Sequence, residues 1–235
     1  MTTPLLDQMV ELLRGSALLA LLPEGELQAL ATRVHRTHHD NGAFIFRKGD
    51  DGTGMMIVLQ GRVKISSVGR SGSEVILNII EAGQIFGEMA LVDGDPRSAD
   101  AVAAKDSEIV TLLRRDFLPI LEHHPEAALG MMSVLSRRIR QTTEFVEDTV
   151  FLDVPARLLH RIEQLAERYG QQDPETGSIR IEHGFTQQEL ADSVGLTRVS
   201  VNRQLGAWED HGLIEKGRGW ISATDLEALD EFVRG

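Results

Sequence analysis

Residues 86–100 read FGEMALVDGDPRSAD and bring a carboxylate, a guanidinium and a hydroxyl close to a glycine. Glu88 follows Gly87, and Arg97 and Ser98 follow Pro96. A guanidinium and a hydroxyl beside the backbone N–H groups of a short helix make an anion site. Arg97 would pair with a phosphate and Ser98 would donate to it. Glu88 carries the wrong charge for phosphate, but as an acceptor it suits a ribose hydroxyl. These residues together describe a small molecule with one phosphate and one free sugar hydroxyl. The competing reading is a Glu88–Arg97 ion pair on a surface turn.

A second set of residues points to another chemistry. Residues 185–208 read FTQQELADSVGLTRVSVNRQLGAW. Thr186 and Glu189 have the spacing of a capping box, so a helix starts there. Leu190, Ala191 and Val194 face inward, and the helix stops at Gly195. Thr197 caps a second helix whose buried stripe is Val201, Leu205 and Trp208. Two short helices joined at a glycine make a helix-turn-helix. LIEKGRGWISA after them reads as a two-stranded wing. In such a motif the start of the second helix enters the major groove. Arg198, Val199, Ser200, Asn202, Arg203 and Gln204 would point outward, with Lys216 and Arg218 on the wing. An arginine can bond guanine N7 and O6, and a valine can touch a thymine methyl.

The elements between these sets must position them. Residues 5–35 carry leucines at helical spacing (Leu13, Leu18, Leu19, Leu22, Leu27, Leu30), broken at Pro23, and predict short helices. From Gly42 to Leu113 the runs FIF, MMIVL, VKI, VILNII and EIVTLL alternate with glycine and aspartate turns. That pattern predicts a small barrel or sandwich. Residues 116–152 are helical again, and Pro125 suits a first helical turn. Ala128, Met132, Leu135, Ile139, Thr142, Val146 and Thr149 then recur every three or four residues, as a heptad seam does. The helix would run roughly 40 Å and pair with a second copy of itself. The other reading of the seam is a long helix lying on its own domain. Asp153 and Pro155 mark a fresh helix start, so a hinge falls near residues 151–154. VPARLLHRIEQLAERY reads as one amphipathic helix, QQDPETGS as a loop and IRI as a strand.

Composition sets limits on function. The chain has 235 residues, 42% of them hydrophobic and 26% charged, ordinary for a globular protein. No cysteine is present, which excludes disulfides, thiol catalysis and cysteine-ligated zinc or iron–sulfur centres. No apolar run reaches membrane length. The first residues carry Asp7 and Glu11 rather than a basic start, so no secretory leader is expected and the cytoplasm is the expected location. The net charge is -12, which opposes nucleic-acid binding overall. Locally the balance reverses, because residues 197–208 hold two arginines and no acid. No Gly-rich triphosphate loop, G-x-S-x-G or HExxH motif is present, so an enzyme is not expected.

The plan resembles the CRP/FNR family of bacterial transcription regulators, close to the cyclic AMP receptor (catabolite activator) proteins. The likeness rests on the glycine-punctuated β-region, the long helix, the FLDVPAR hinge and the winged helix. FGEMALVDGDPRSA resembles the family's phosphate-binding cassette. The resemblance implies that Glu88 contacts the ribose 2′-hydroxyl and that Arg97 and Ser98 hold a cyclic phosphate. Gly87 and Met89 would add backbone and wall contacts. It implies base contacts from Arg138, Thr142 and Thr143, and a small polar contact from Asn78. Arg198 and Arg203 match guanine-reading positions. Val199 departs from the glutamate of many members, so the usual operator does not carry over there.

The fold expected is α+β: a cyclic-nucleotide-binding β-roll of jelly-roll type over 1–122, a dimerisation helix over 123–152, and a winged helix-turn-helix over 153–235. The expected function is a homodimeric regulator that binds operator DNA, with Thr186, Thr197 and the outward residues above at the DNA and RNA polymerase as a further partner. Cyclic AMP is the expected effector, cyclic GMP the alternative, and no metal is expected. Cyclic GMP stays open because Ser98 can reach a guanine N2. Haem or gas sensing through His35, His38, His39, His123 or His124, and a ligand-independent regulator, are further alternatives on the same scaffold.

Overall fold

The computed structural model describes residues 4–234, so residues 1–3 and 235 of the expected outer domains lie outside the described residues. The elements in chain order are α1 (Pro4–Arg14), a 3-10 turn (Leu19–Leu21), α2 (Glu24–Ala31), β1 (His35–His39), β2 (Phe44–Phe46), β3 (Gly54–Gln60), β4 (Arg62–Val68), β5 (Glu74–Glu81) and β6 (Ile85–Phe86). There follow α3 (Glu88–Asp93), β7 (Asp100–Ala103), β8 (Ser107–Leu113), α4 (Arg114–His123) and α5 (Pro125–Phe151). The chain ends with α6 (Val154–Tyr169), β9 (Gly170–Gln172), β10 (Ile179–Ile181), α7 (Gln187–Asp192), α8 (Arg198–Asp210), β11 (Ile214–Gly217), β12 (Trp220–Ala223) and α9 (Leu226–Arg234). The α+β class is as expected. Two compact units form: residues up to 67 with 77–141, and 68–76 with 142 onward. The division falls inside α5. Helix α5 itself is bounded by His124 and by Leu152–Asp153.

In the first unit two four-stranded sheets run β1-β8-β3-β6 and β2-β7-β4-β5. Side chains alternate along each strand, and the alternation builds two cores. Val58, Val63, Ile80, Phe86, Ala101 and Ile109 fill the space between the sheets. Met55 and Ile57 on β3, with Val110 and Leu112 on β8, point the other way, into leucines of α1 and α2, Phe117 of α4 and Met131 of α5. This second core extends the helical spacing read from the first 35 residues into a layer over the sheet. Four strands form beyond those expected: β1, β6, β7 and β9. Two of them, β1 and β9, are explained by position. His35–His39 is polar throughout and sits at a sheet edge, paired only with β8. Gly170–Gln172 is likewise an edge strand, and it takes the first residues of the expected QQDPETGS loop. An edge strand bonds one neighbour and need not bury a face, so no apolar alternation announces it.

In the second unit the helix after the hinge is the one expected. The α6 helix spans the whole of VPARLLHRIEQLAERY and buries Leu158, Leu159, Ile162 and Leu165. Asp153 caps it by accepting from the Ala156 N–H at 3.0 Å. Arg157 donates across the hinge to the carbonyls of Thr149 at 3.0 Å and Leu152 at 3.1 Å. Asp148 at the end of α5 meets His160 Nδ1 at 2.7 Å. Four side chains, Asp148, Asp153, Arg157 and His160, therefore set the turn between the two helices.

The apolar stripe of α5 differs from the expected seam by part of its register. Leu129, Met132, Ile139, Val146 and Val150 are exposed. Met132, Ile139 and Val146 belong to the expected seam, but Leu135 instead packs against the helical core. Leu129 and Val150 take the places of Ala128 and Thr149. The two stripes share every second member, and helix spacing alone does not separate them. The core beneath α5 claims Leu135, Ala127 and Met131, and leaves the other stripe bare.

Candidate functional site

The cassette starts where β6 ends. Gly87 has φ +70 and turns the chain into α3. A side chain there would be strained, and its Cβ would lie 2.5 Å from Arg97 Nη1. The same nitrogen donates to the Gly87 carbonyl at 2.8 Å. Backbone bonds hold Arg97 on both sides: its N–H donates to Asp50 O at 2.9 Å, and its carbonyl accepts from Gly49 N–H at 2.8 Å. The guanidinium lies over the Phe46 ring at 4.3 Å, and Phe46 stacks on Phe86 at 5.9 Å. Arg114 clamps the far end of α3, donating from Nε to Leu91 O at 2.7 Å.

The surface ion pair is not what forms. Glu88 is 4% exposed and Arg97 5%. The carboxylate of Glu88 meets Arg138 Nε of α5 at 3.5 Å, and Arg138 also donates to Ile85 O at 2.9 Å. No carboxylate closes an ion pair with Arg97 among the described residues. Burial pushes its pKa down, while Glu88 and Asp50, standing further off, push it up. A buried guanidinium held by one carbonyl and one ring is costly unless an anion completes it. Ser98 and Met89 are exposed at the rim, with Ser98 Oγ 3.6 Å from Met89 Sδ. The residues therefore suit a phosphate at Arg97 and a hydroxyl at Glu88. Asn78 on β5 donates to Gln141 at 2.8 Å. Thr142 and Thr143 are exposed on α5, in the second unit.

The helix-turn-helix forms as read. Thr186 accepts from Glu189 N–H at 3.1 Å while Glu189 accepts from Thr186 N–H at 2.8 Å, a complete capping box. Gly195 makes the turn with φ +65. Thr197 caps α8 by accepting from Ser200 N–H at 3.1 Å. Val201, Leu205 and Trp208 are buried. Arg198, Val199 and Arg203 stand in solvent, Val199 at 78% exposure. Ser200, Asn202 and Gln204 are half-buried, because they flank the buried stripe on the helix wheel. Thr186, Arg198, Lys216 and Arg218 line one open cleft of about 540 Å³ between the two helices and the wing. Lys216 is paired with Glu209, so Arg218 is the freer wing cation.

Two family models match the chain. Residues 36–124 match the cyclic nucleotide-binding domain, and residues 156–232 match the Crp-like helix-turn-helix domain. A CRP-like cAMP-activated global transcriptional regulator of Mycobacterium tuberculosis is 30% identical over 226 residues, covering 96% of this chain and 100% of the relative. A cyclic AMP receptor protein of Thermus thermophilus is 30% identical over 95% of this chain and 99% of its own length. The chain belongs to the CRP/FNR family. Among solved structures, a CooA mutant from Carboxydothermus hydrogenoformans superposes with a TM-score of 0.75 at 25% identity, over 86% of this chain and 88% of that one.

This CRP/FNR regulator is thus a DNA-binding transcription factor with a cyclic-nucleotide-binding domain. The family consists of transcription regulators rather than enzymes. No described helix is long and apolar enough to cross a membrane, and no group of three or more His, Asp or Glu among the described residues is placed to hold a metal. Sequence reading missed four contacts of the candidate sites and the hinge: Phe46 under Arg97, Arg114 behind α3, Gln141 against Asn78 and Arg157 across the hinge. Only Gln141 left a signal, lying one turn after Arg138 on α5.

Proposed function

We propose that this CRP/FNR protein is a homodimeric regulator switched by cyclic AMP. The observation that carries the reading is the buried Arg97 guanidinium, which lacks an anion and faces a glycine turn too tight for a side chain. The cyclic phosphate would supply that anion, with Ser98 donating beside it. Glu88 would accept from the ribose hydroxyl. Arg138 would hold Glu88, and Thr142 and Thr143 are kept as base contacts from the family resemblance. Cyclic AMP is taken ahead of cyclic GMP because one relative is named a cAMP-activated regulator and another a cyclic AMP receptor protein.

Dimerisation is supported by the bare stripe Leu129, Met132, Ile139, Val146 and Val150. A second copy would cover it in coiled-coil fashion. Two winged helices would then reach half-sites roughly 34 Å apart, with Arg198 and Arg203 at base edges and Arg218 at a phosphate. The reading includes RNA polymerase as a partner and the cytoplasm as the location. Ligand acts by favouring one setting of the α5–α6 turn. By linkage, operator DNA tightens ligand binding by the factor with which ligand tightens DNA binding.

Titration calorimetry with cyclic AMP and cyclic GMP tests the reading. Binding of cyclic AMP that is lost in Arg97→Gln supports it. Preference for cyclic GMP replaces the ligand and keeps the site. Binding of neither sinks cyclic-nucleotide control.

A further inference from the structure

We propose that Gln141 reads the base of the nucleotide and selects adenine, with Asn78 holding its amide in the selective orientation. The inference rests on the cyclic-nucleotide reading of the cassette. It starts from a chain of contacts within the first unit. Glu88, the acceptor for the sugar, is held by Arg138 of α5. Gln141 is three residues further along the same helix, so it sits on the same face about one turn, or roughly 5 Å, beyond Arg138. A base attached to the sugar held by Glu88 extends over a distance of that order. Gln141 is exposed, and among the described residues the one side-chain bond it makes is with Asn78.

The orientation of both amides follows from one backbone donor. Ile79 N–H donates to Asn78 Oδ1 at 2.7 Å. A backbone N–H only donates, so this end of Asn78 must be its oxygen. The Nδ2 end therefore faces Gln141 and donates to its Oε1 at 2.8 Å. That settles the second amide: Oε1 lies against Asn78 and Nε2 is left free. Gln141 keeps one lone pair on Oε1 and two N–H groups on Nε2. An amide in this state matches adenine, which offers an N6 donor beside an N7 acceptor. Guanine offers O6 and N7, both acceptors, and its O6 would oppose the lone pair of Oε1. Turning the amide over to suit guanine would place Nε2 against Asn78 Nδ2, donor against donor.

A clip between β5 and α5 would also explain the Asn78–Gln141 bond, and the test separates the two roles. Gln141→Glu keeps an oxygen to accept from Asn78 and removes the N–H that would reach N7. Its added charge weakens every cyclic nucleotide alike, so ratios of affinity isolate the base contact. Calorimetry on the full chain would compare cyclic AMP with 7-deaza cyclic AMP and with cyclic GMP. The wild type is expected to bind cyclic AMP about tenfold more tightly than either. Gln141→Glu is expected to bind cyclic AMP and its 7-deaza analogue equally, with an unchanged melting temperature. Gln141→Ala should lose the cyclic AMP over cyclic GMP preference as well. Unchanged ratios in both variants would overturn the inference and leave the cassette intact. A wild type that binds none of the three would instead overturn the cyclic-nucleotide reading itself.

Discussion

The cassette and the recognition helix both depend on arginines, and they hold them in opposite ways. Arg97 is buried, pinned through its backbone on both sides and laid on a ring. Arg198 and Arg203 stand in solvent on a helix whose cap and buried stripe are made by other residues. A small anion can be surrounded, so its site can be dry and preformed. A DNA duplex cannot be surrounded, so its reader must project. In the function proposed, the first arrangement stores the cost of a desolvated charge and would regain it on binding. The second stores nothing and depends on salt.

Substitution at Arg97 should break this contrast most strongly. Arg97→Gln is expected to weaken cyclic AMP binding by about 10²- to 10⁴-fold, since losing one partner of a buried charge pair costs about 3–5 kcal/mol. Its melting temperature without ligand should not fall, because an uncompensated charge leaves the interior. A clear fall would mean that Arg97 serves the fold rather than the ligand. Calorimetry and thermal unfolding on the same sample decide this.

Single substitutions in the reader should cost less. Arg198→Ala and Arg203→Ala are each expected to lose about 1–3 kcal/mol of operator affinity, with specificity relaxed at one base position. Cyclic AMP affinity in the absence of DNA should stay at the wild-type value. Operator titrations at several salt concentrations sort base contacts from phosphate contacts: a phosphate contact lowers the salt slope by about one.

Gly87→Ala probes the preformed side from the backbone. Positive φ costs a non-glycine residue about 1–2 kcal/mol, and here the methyl also presses on Arg97. A loss of about 2–8 °C in melting temperature is expected for a chain of this size, together with weaker cyclic AMP. An unchanged melting point would show that the turn relaxes freely and is not preformed. The smallest effect is expected at Thr186→Ala, which removes the capping box for about 1 kcal/mol. Trp208 and Trp220 both belong to the winged unit, so denaturant unfolding followed by tryptophan fluorescence reads that loss there.

The contrast also explains what was legible before the structure. Both sites are written in short windows: fifteen residues for the cassette, and a cap, a glycine and a second cap for the helix-turn-helix. Caps, left-handed glycines and helix stripes act over three to five residues, so their physics is present in the sequence. The supports were not legible, because each joins distant segments. Phe46 lies beneath Arg97 across 51 positions, and Asn78 meets Gln141 across 63.

Local order is what residue types and spacing established here: the cassette, the capping box, the hinge cap at Asp153, and helices with an apolar stripe. The choice among equals fell to tertiary packing. Two heptad stripes on α5 had nearly the same claim, and the core settled the matter by partly burying Leu135 and leaving Leu129 bare. Glu88 and Arg97 had the composition of a surface pair, and the sheets buried both and gave Glu88 to Arg138. Backbone geometry acts between neighbours and can be read along a chain. Burial depends on what lies across the fold, and it is burial that took Arg97 from the surface charge its sequence suggests to a guanidinium enclosed by the fold.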